Sequence, residues 1–236
     1  MFKVFAMLLA GVLAAPAMAT DISVDNVHQY FLAGERPVKN LAVKNNNKEK
    51  AFAIDVKVER VLGIDAKTGK VNLEDATRDF MFAPKQFVLK PNSSKNLRIV
   101  YVKPLSENEE RRYQMSFMPR IERSYDNDPD ATGIQAGASV VVSTGVALMI
   151  APQARDVNML VKRTEDGAVF KNAGNVTINL RPRINYCDAG SCIDLPKKLV
   201  NPGDVWFYKM PKGMKIDWYY DIYGVTQNDV IPVPAS

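Results

Sequence analysis

Hydrophobic and polar residues alternate along much of this chain with the two-residue period of a strand. Phe52, Ile54, Val56 and Val58 are interleaved with Asp55, Lys57 and Glu59, which predicts a half-buried strand with one face in water. Leu97, Ile99 and Tyr101 repeat the pattern behind Asn92-Ser93-Ser94, a turn signal that follows Pro91. Shorter runs predict strands at 38–43, 87–89 and 113–117. The longest run, 138–150, differs from the rest. Val140, Val141, Val142, Val146, Leu148, Met149 and Ile150 leave neither face polar, so this strand is expected to be covered on both sides or to present an apolar edge. Pro152-Gln153-Ala154-Arg155-Asp156 then breaks the pattern as a linker, and further strands are expected at 159–161, 168–170, 176–184, 205–208 and 216–223. Gly, Pro, Asn and Asp clusters recur between runs every ~8–12 residues, the rhythm of an antiparallel sandwich, and no stretch holds a helical period. The chain is therefore read as all-β, with two β-sandwich domains at 20–152 and 157–236. The polar, Gly- and Asp-rich stretch 124–137 reads as a long mobile loop.

Hydrophobic residues make up 47% and charged residues 24% of the 236, which excludes a disordered or low-complexity chain. The net charge of +5 is dispersed, with no Lys/Arg block longer than two residues, so no nucleic-acid partner is expected. At the N-terminus Lys3 precedes an apolar run at 5–15 and the small-x-small sequence Ala17-Met18-Ala19. This is the pattern of a signal peptide at 1–19 cleaved after Ala19. The run is shorter than the roughly 20 residues of a spanning helix, and the mature chain is expected to hold no membrane span and to reside in the periplasm. Cysteine usage agrees. Only Cys187 and Cys192 occur, bracketing Asp188, Ala189, Gly190 and Ser191, and in an oxidising compartment they read as a local disulfide across a tight turn. A thioredoxin-like pair would have two intervening residues, and a zinc site would need four ligands where the chain offers one histidine and no other cysteine. Closing so short a loop contributes about 2 kcal/mol at best.

Catalytic signatures are missing from the sequence. There is no G-x-S-x-G, no H-E-x-x-H and no Gly-rich phosphate loop. The only histidine, His28, has no sequence partner for a triad or metal site. Asp126-x-Asp128-x-Asp130 opens like a calcium loop, but Ala131 stands where the turn wants glycine and Gly137 where a bidentate glutamate is needed. No enzymatic activity, metal or cofactor is expected.

Several motifs in order resemble the periplasmic chaperones of the chaperone–usher pilus pathway. Phe82-Ala-Pro-Lys-Gln-Phe87-Val-Leu-Lys-Pro91, followed by Leu97-Arg98-Ile99, is similar to that family's P-x-x-F-x-L-x-P and L-R-I segment. The stretch 113–119 is similar to its F1 strand, and 140–152 to its G1 strand with the terminating proline. Phe170-Lys-Asn172-Ala-Gly-Asn175 resembles the entry to its second domain, and Asp221-Ile-Tyr223-Gly224 its terminal N-D-Y-G. The segment 177–202, with Tyr-Cys, a short loop, Cys and Asn-Pro-Gly, resembles the alternate branch that serves common-pilus and colonisation-factor-like pili. The resemblance implies two immunoglobulin-like sandwiches joined by a short linker. It also implies pilus subunits as partners, held by donor-strand complementation through G1 and delivered to an outer-membrane usher.

By the strand period, Ala138, Val140, Val142, Thr144 and Val146 share one face, which is expected to be the donor face; burial of that face in the first domain's own core is the alternative. Family members anchor the subunit's terminal carboxylate with an Arg on the first strand and a Lys on G1. Here the matching positions hold His28 and Ala147, so His28, Lys44, Arg111 and Arg112 are the candidate anchors. Ile222 takes the place of the aspartate in N-D-Y-G, with Asp221 one residue earlier, which departs from the family's charge network between domains. The rival reading is a two-domain β-sandwich pilin or tip adhesin.

Overall fold

The computed structural model describes residues 21–65, 67–121, 143–182, 187–188, 191–192, 197–209 and 218–231. The expected signal peptide, the loop at 124–137, and Ala138, Val140 and Val142 of the expected donor face lie outside the described residues.

Two sheets face each other in the first sandwich. One has the order β1 (Ile22–Val24), β3 (Val38–Asn45), β8 (Ser94–Tyr101) and β6 (Phe80–Ala83), paired antiparallel throughout. The other runs β2 (His28–Phe31), β10 (Thr144–Ile150), β9 (Arg111–Ile121), β4 (Phe52–Ile64) and β5 (Val71–Asp75), with β7 (Gln86–Leu89) also paired to β4. β2 and β10 are parallel; the other pairs are antiparallel. The alternation seen in sequence is the alternation in space: Phe52, Ile54 and Val58 enter the core while Asp55, Lys57 and Glu59 point outward. Phe31, Phe80, Tyr101 and Tyr113 pack as tilted and edge-to-face rings at centroid distances of 4.9 to 6.2 Å. Asn45, fully buried, donates its amide to the carbonyls of Lys50, Leu89 and Lys90 and accepts from the Asn47 N–H, which satisfies the chain where it leaves β3.

The second sandwich places β11 (Met159–Thr164), β12 (Gly167–Asn172) and β17 (Val205–Lys209) against β16 (Lys198–Val200), β13 (Ile178–Pro182), β18 (Trp218–Ile222) and β19 (Val225–Ile231). Its core gathers Phe170, Leu180, Trp206, Tyr208 and Trp218. Asn172 repeats the device of Asn45, donating to the carbonyls of Val176 and Val200 and accepting from the Gly174 N–H. β14 (Cys187–Asp188) and β15 (Ser191–Cys192) form a small hairpin in which Cys187 stands directly opposite Cys192.

Between the sandwiches, the linker is tied at both ends. Gln153 and Ala154 donate backbone N–H groups to Ser106 and Glu107, and Asn175 of the second sandwich donates to the carbonyls of Asn108 and Ala154. A side chain at Gly174 would meet the Asp156 carbonyl at 2.3 Å, so only glycine lets the second sandwich approach the linker this closely.

Candidate binding cleft

β10 lies inside the sheet, and its two faces serve different cores. Val146, Leu148 and Ile150 enter the core of the first sandwich. Met149 emerges on the opposite face and joins Ala151, Val176 and Tyr223, with Tyr30, Leu32, Ala147 and Ile222 packed around them. This second cluster is the apolar contact between the sandwiches. Beside it sits Glu110, 9% exposed, at the entry to β9. Its carboxylate accepts from the Thr177 N–H at 2.9 Å, from the Thr177 hydroxyl and from the Tyr223 hydroxyl at 2.8 Å. Burial raises the Tyr223 hydroxyl above its ordinary pKa, and the neighbouring Glu110 charge adds to the rise. In sequence Glu110 reads as part of a charged strand entrance; only the fold shows it bridging the sandwiches. Asp221, by contrast, stays within the second sandwich, paired with Arg181 and accepting from Asn179 at 3.1 Å.

A hollow of about 440 Å³ opens on the outer face of β2, β10, β9 and β4, lined by Val27, His28, Val61, Arg112, Gln114 and Ala147 among others. His28 and Ala147 are Cα partners, as are Ala147 and Gln114, and Met149 and Arg112. A second hollow of about 210 Å³ lies between the sandwiches and includes Tyr30, Arg181 and Asp221; His28 and Met149 line both. Burial raises the Tyr30 hydroxyl, helped by the charges of Asp221 and Glu110.

The four candidate anchors separate cleanly. His28 and Arg112 meet at the larger hollow. Arg112 is partly buried and, among the described residues, makes no ion pair or side-chain hydrogen bond. Arg111 is the next residue on the strand, so its side chain leaves by the other face, where it donates to the Tyr101 hydroxyl at 3.0 Å and the Pro104 carbonyl at 3.3 Å. Lys44 is exposed on β3, in the other sheet, opposite Ser23 and Ser94. Neither Arg111 nor Lys44 reaches the hollow. The expected donor face divides as well. Thr144 is partly buried and donates its hydroxyl to the Ile22 carbonyl at 2.9 Å, while Val146, 1% exposed, spends its side chain in the chain's own core. Gln114, Val61 and Tyr30 carry no local sequence signal for this site, because the register that gathers them is set by non-local pairing.

The edge of β10 changes along its length. β9 pairs with it from Thr144 to Ile150, but β2 pairs only from Ala147 onward. The Ala147 and Ala151 N–H groups donate across this edge to Val27 and Phe31 at 2.8 and 2.9 Å. The strand period points the backbone of Gly145 to the same edge, where no strand among the described residues pairs with it.

No protein-family model and no curated protein match the sequence. Solved structures do. The periplasmic chaperone SfaE is 14% identical, with a TM-score of 0.56 over 91% of this chain and 100% of that one. The CupB2 chaperone of Pseudomonas aeruginosa is 15% identical, with a TM-score of 0.56 over 90% of this chain and 100% of that one. A structure of the Salmonella enterica SafA pilin in complex with the SafB chaperone matches at 16% identity, with a TM-score of 0.55 over 89% of this chain and 94% of that one. The chain has the two-domain β-sandwich fold of these chaperones. No helix among the described residues is long and apolar enough to cross a membrane.

Proposed function

We propose that this chain is a periplasmic chaperone of pilus assembly. It holds immature pilus subunits in the cleft between its sandwiches and along the edge of β10, and hands them to an outer-membrane usher. One observation carries this reading: the open edge at Gly145 lies beside an apolar hollow that contains an unanswered guanidinium. The edge offers main-chain hydrogen bonds to an added strand, which pair with little regard to sequence. The hollow takes apolar side chains, and Arg112 supplies the counter-charge that a terminal carboxylate needs when it leaves water. Binding then draws only on strand pairing and burial. Ala138, Val140 and Val142 would continue the pairing strand toward the subunit.

Periplasmic co-expression with candidate pilus subunits tests the reading. The wild-type chain is expected to retain a subunit in a soluble complex. Gly145→Pro removes one N–H from the open edge and none of the bonds to β9, and proline is tolerated on such edges. The variant is expected to fold by circular dichroism and to lose most of the complex. A wild-type chain that retains no subunit overturns the proposal.

A further inference from the structure

Past the sandwich, β4 and β5 continue as a hairpin whose residues from Val71 to Asp75 are all exposed. Ile64 is 67%, Val71 48% and Leu73 39% exposed. These three, with Val61, lie on one face. Val61 is the Cα partner of Leu73, and Ile64 of Val71. Residues 61 and 64 are three apart, so on a regular strand they would point to opposite faces. A bulge between Val61 and Gly63 restores the match. Gly63 sits at φ +149°, a conformation that side chains rarely adopt, so the glycine is what permits the bulge. The far end is fixed by Asp65, whose carboxylate accepts from the N–H groups of Lys67 and Thr68 at 2.9 and 2.7 Å and from the Thr68 hydroxyl at 3.0 Å. Local backbone irregularity has thus been used to hold an apolar face in water.

That face is continuous with the cleft. Val61 lines the same hollow as Arg112, so the apolar surface runs from Met149 past Val61 to Leu73, Val71 and Ile64. Glu59 and Asp75 are Cα partners in the next row; Glu59 is paired with Lys57 and Asp75 accepts from the Thr77 hydroxyl, so the apolar side chains alone define the face. We infer that the β4–β5 hairpin is a preformed shelf that seats a second segment of the subunit held in the cleft: an apolar strand or loop. This rests on the cleft being the subunit's seat.

The test measures affinity for a pilus subunit that the wild-type chain retains, using the full-length mature protein. Ile64→Ser with Val71→Ser removes two solvent-facing side chains and is expected to weaken binding roughly 10–100-fold, at the ~10-fold per 1.4 kcal/mol of binding arithmetic, with the circular dichroism unchanged. Leu160→Ser removes a comparably exposed apolar residue from β11 of the second sandwich and is expected to change nothing. Val71→Lys, which places a charge in the middle of the apolar face, serves as a second variant should the double one misfold, with the same loss expected. If the shelf variants bind as wild type while Arg112→Gln is weakened, the shelf is overturned and the cleft stands. If the wild type retains no subunit, both fall. If the free wild-type chain self-associates in sedimentation and the shelf variants do not, the shelf is an interface between copies and the inference is overturned.

Discussion

Arg112 carries a charge that the described part of the molecule leaves unanswered, and its neighbour Arg111 shows what an answered one looks like. Arg111 holds Tyr101 and the Pro104 carbonyl; Arg112 faces an apolar hollow. A charge-assisted hydrogen bond contributes about 1.5–3 kcal/mol, so Arg112→Gln is expected to weaken subunit binding about 10- to 100-fold without loss of fold. Arg111→Gln should leave binding intact and lower the melting temperature. Titration calorimetry with an isolated subunit separates the two, and the reverse pattern would remove Arg112 from the site. Residue-scale reasoning also covers the cysteines. Directly opposed residues of an antiparallel pair have Cα atoms about 4.5–5.5 Å apart, inside the range a disulfide spans. Alkylation of the unreduced mature protein is expected to label neither Cys187 nor Cys192. Replacing both by serine should leave the first sandwich folded, since the loop they close is short.

At the scale of the strand, β10 explains both what was legible in sequence and what was not. Its apolar run reads as cover on both faces or an apolar edge, and its described part, Thr144–Ile150, has one core below and the contact between sandwiches above. β3, β4, β8 and β9 were readable for the same reason, because a half-buried strand writes its two faces into alternate positions. β5 was not, since every residue in it is exposed and no alternation is imposed. The pairings that assemble the cleft, Ala147 with His28 and with Gln114, join residues far apart in sequence and leave no local mark. The division of labour along β10 gives a paired prediction. Val146→Asp buries an unpaired carboxylate in the first core, which costs several kcal/mol, and the protein is expected to be degraded or unfolded. Val142→Asp, in the stretch that would meet the subunit, is expected to accumulate as folded protein that retains no subunit. Circular dichroism and co-purification together decide; a folded Val142→Asp protein with normal subunit recovery would show that the donor strand does not reach that residue.

Across the whole molecule, the smaller hollow lies between the two sandwiches, and a few polar groups join them beside the apolar contact. Glu110 at the entry to β9 accepts three hydrogen bonds from Thr177 and Tyr223 of the other sandwich, in a setting that excludes water. Removing the Tyr223 hydroxyl withdraws one bond to a charged acceptor, worth about 1.5–3 kcal/mol. Tyr223→Phe should therefore keep both sandwiches folded, lower the stability of their docking and weaken subunit binding without touching a residue of the larger hollow. The same side chain gives the coupling a pH signature. Its folded pKa lies above the ordinary tyrosine value of 10.0, raised by burial and then by Glu110. Below pH 10 folded and unfolded chains both keep the proton, and the stabilising contribution is complete. Above it the unfolded chain ionises first, so stability is lost as pH rises toward the folded value. Tyr113 is raised in the same sense by its own burial, and its hydroxyl is bound to Tyr101 and Asp79, so some alkaline loss remains in the variant. Urea unfolding followed at pH 8 and pH 10.5 should show a smaller drop for Tyr223→Phe than for the wild type. Equal drops would mean that the Tyr223 proton is not held by the contact between the sandwiches.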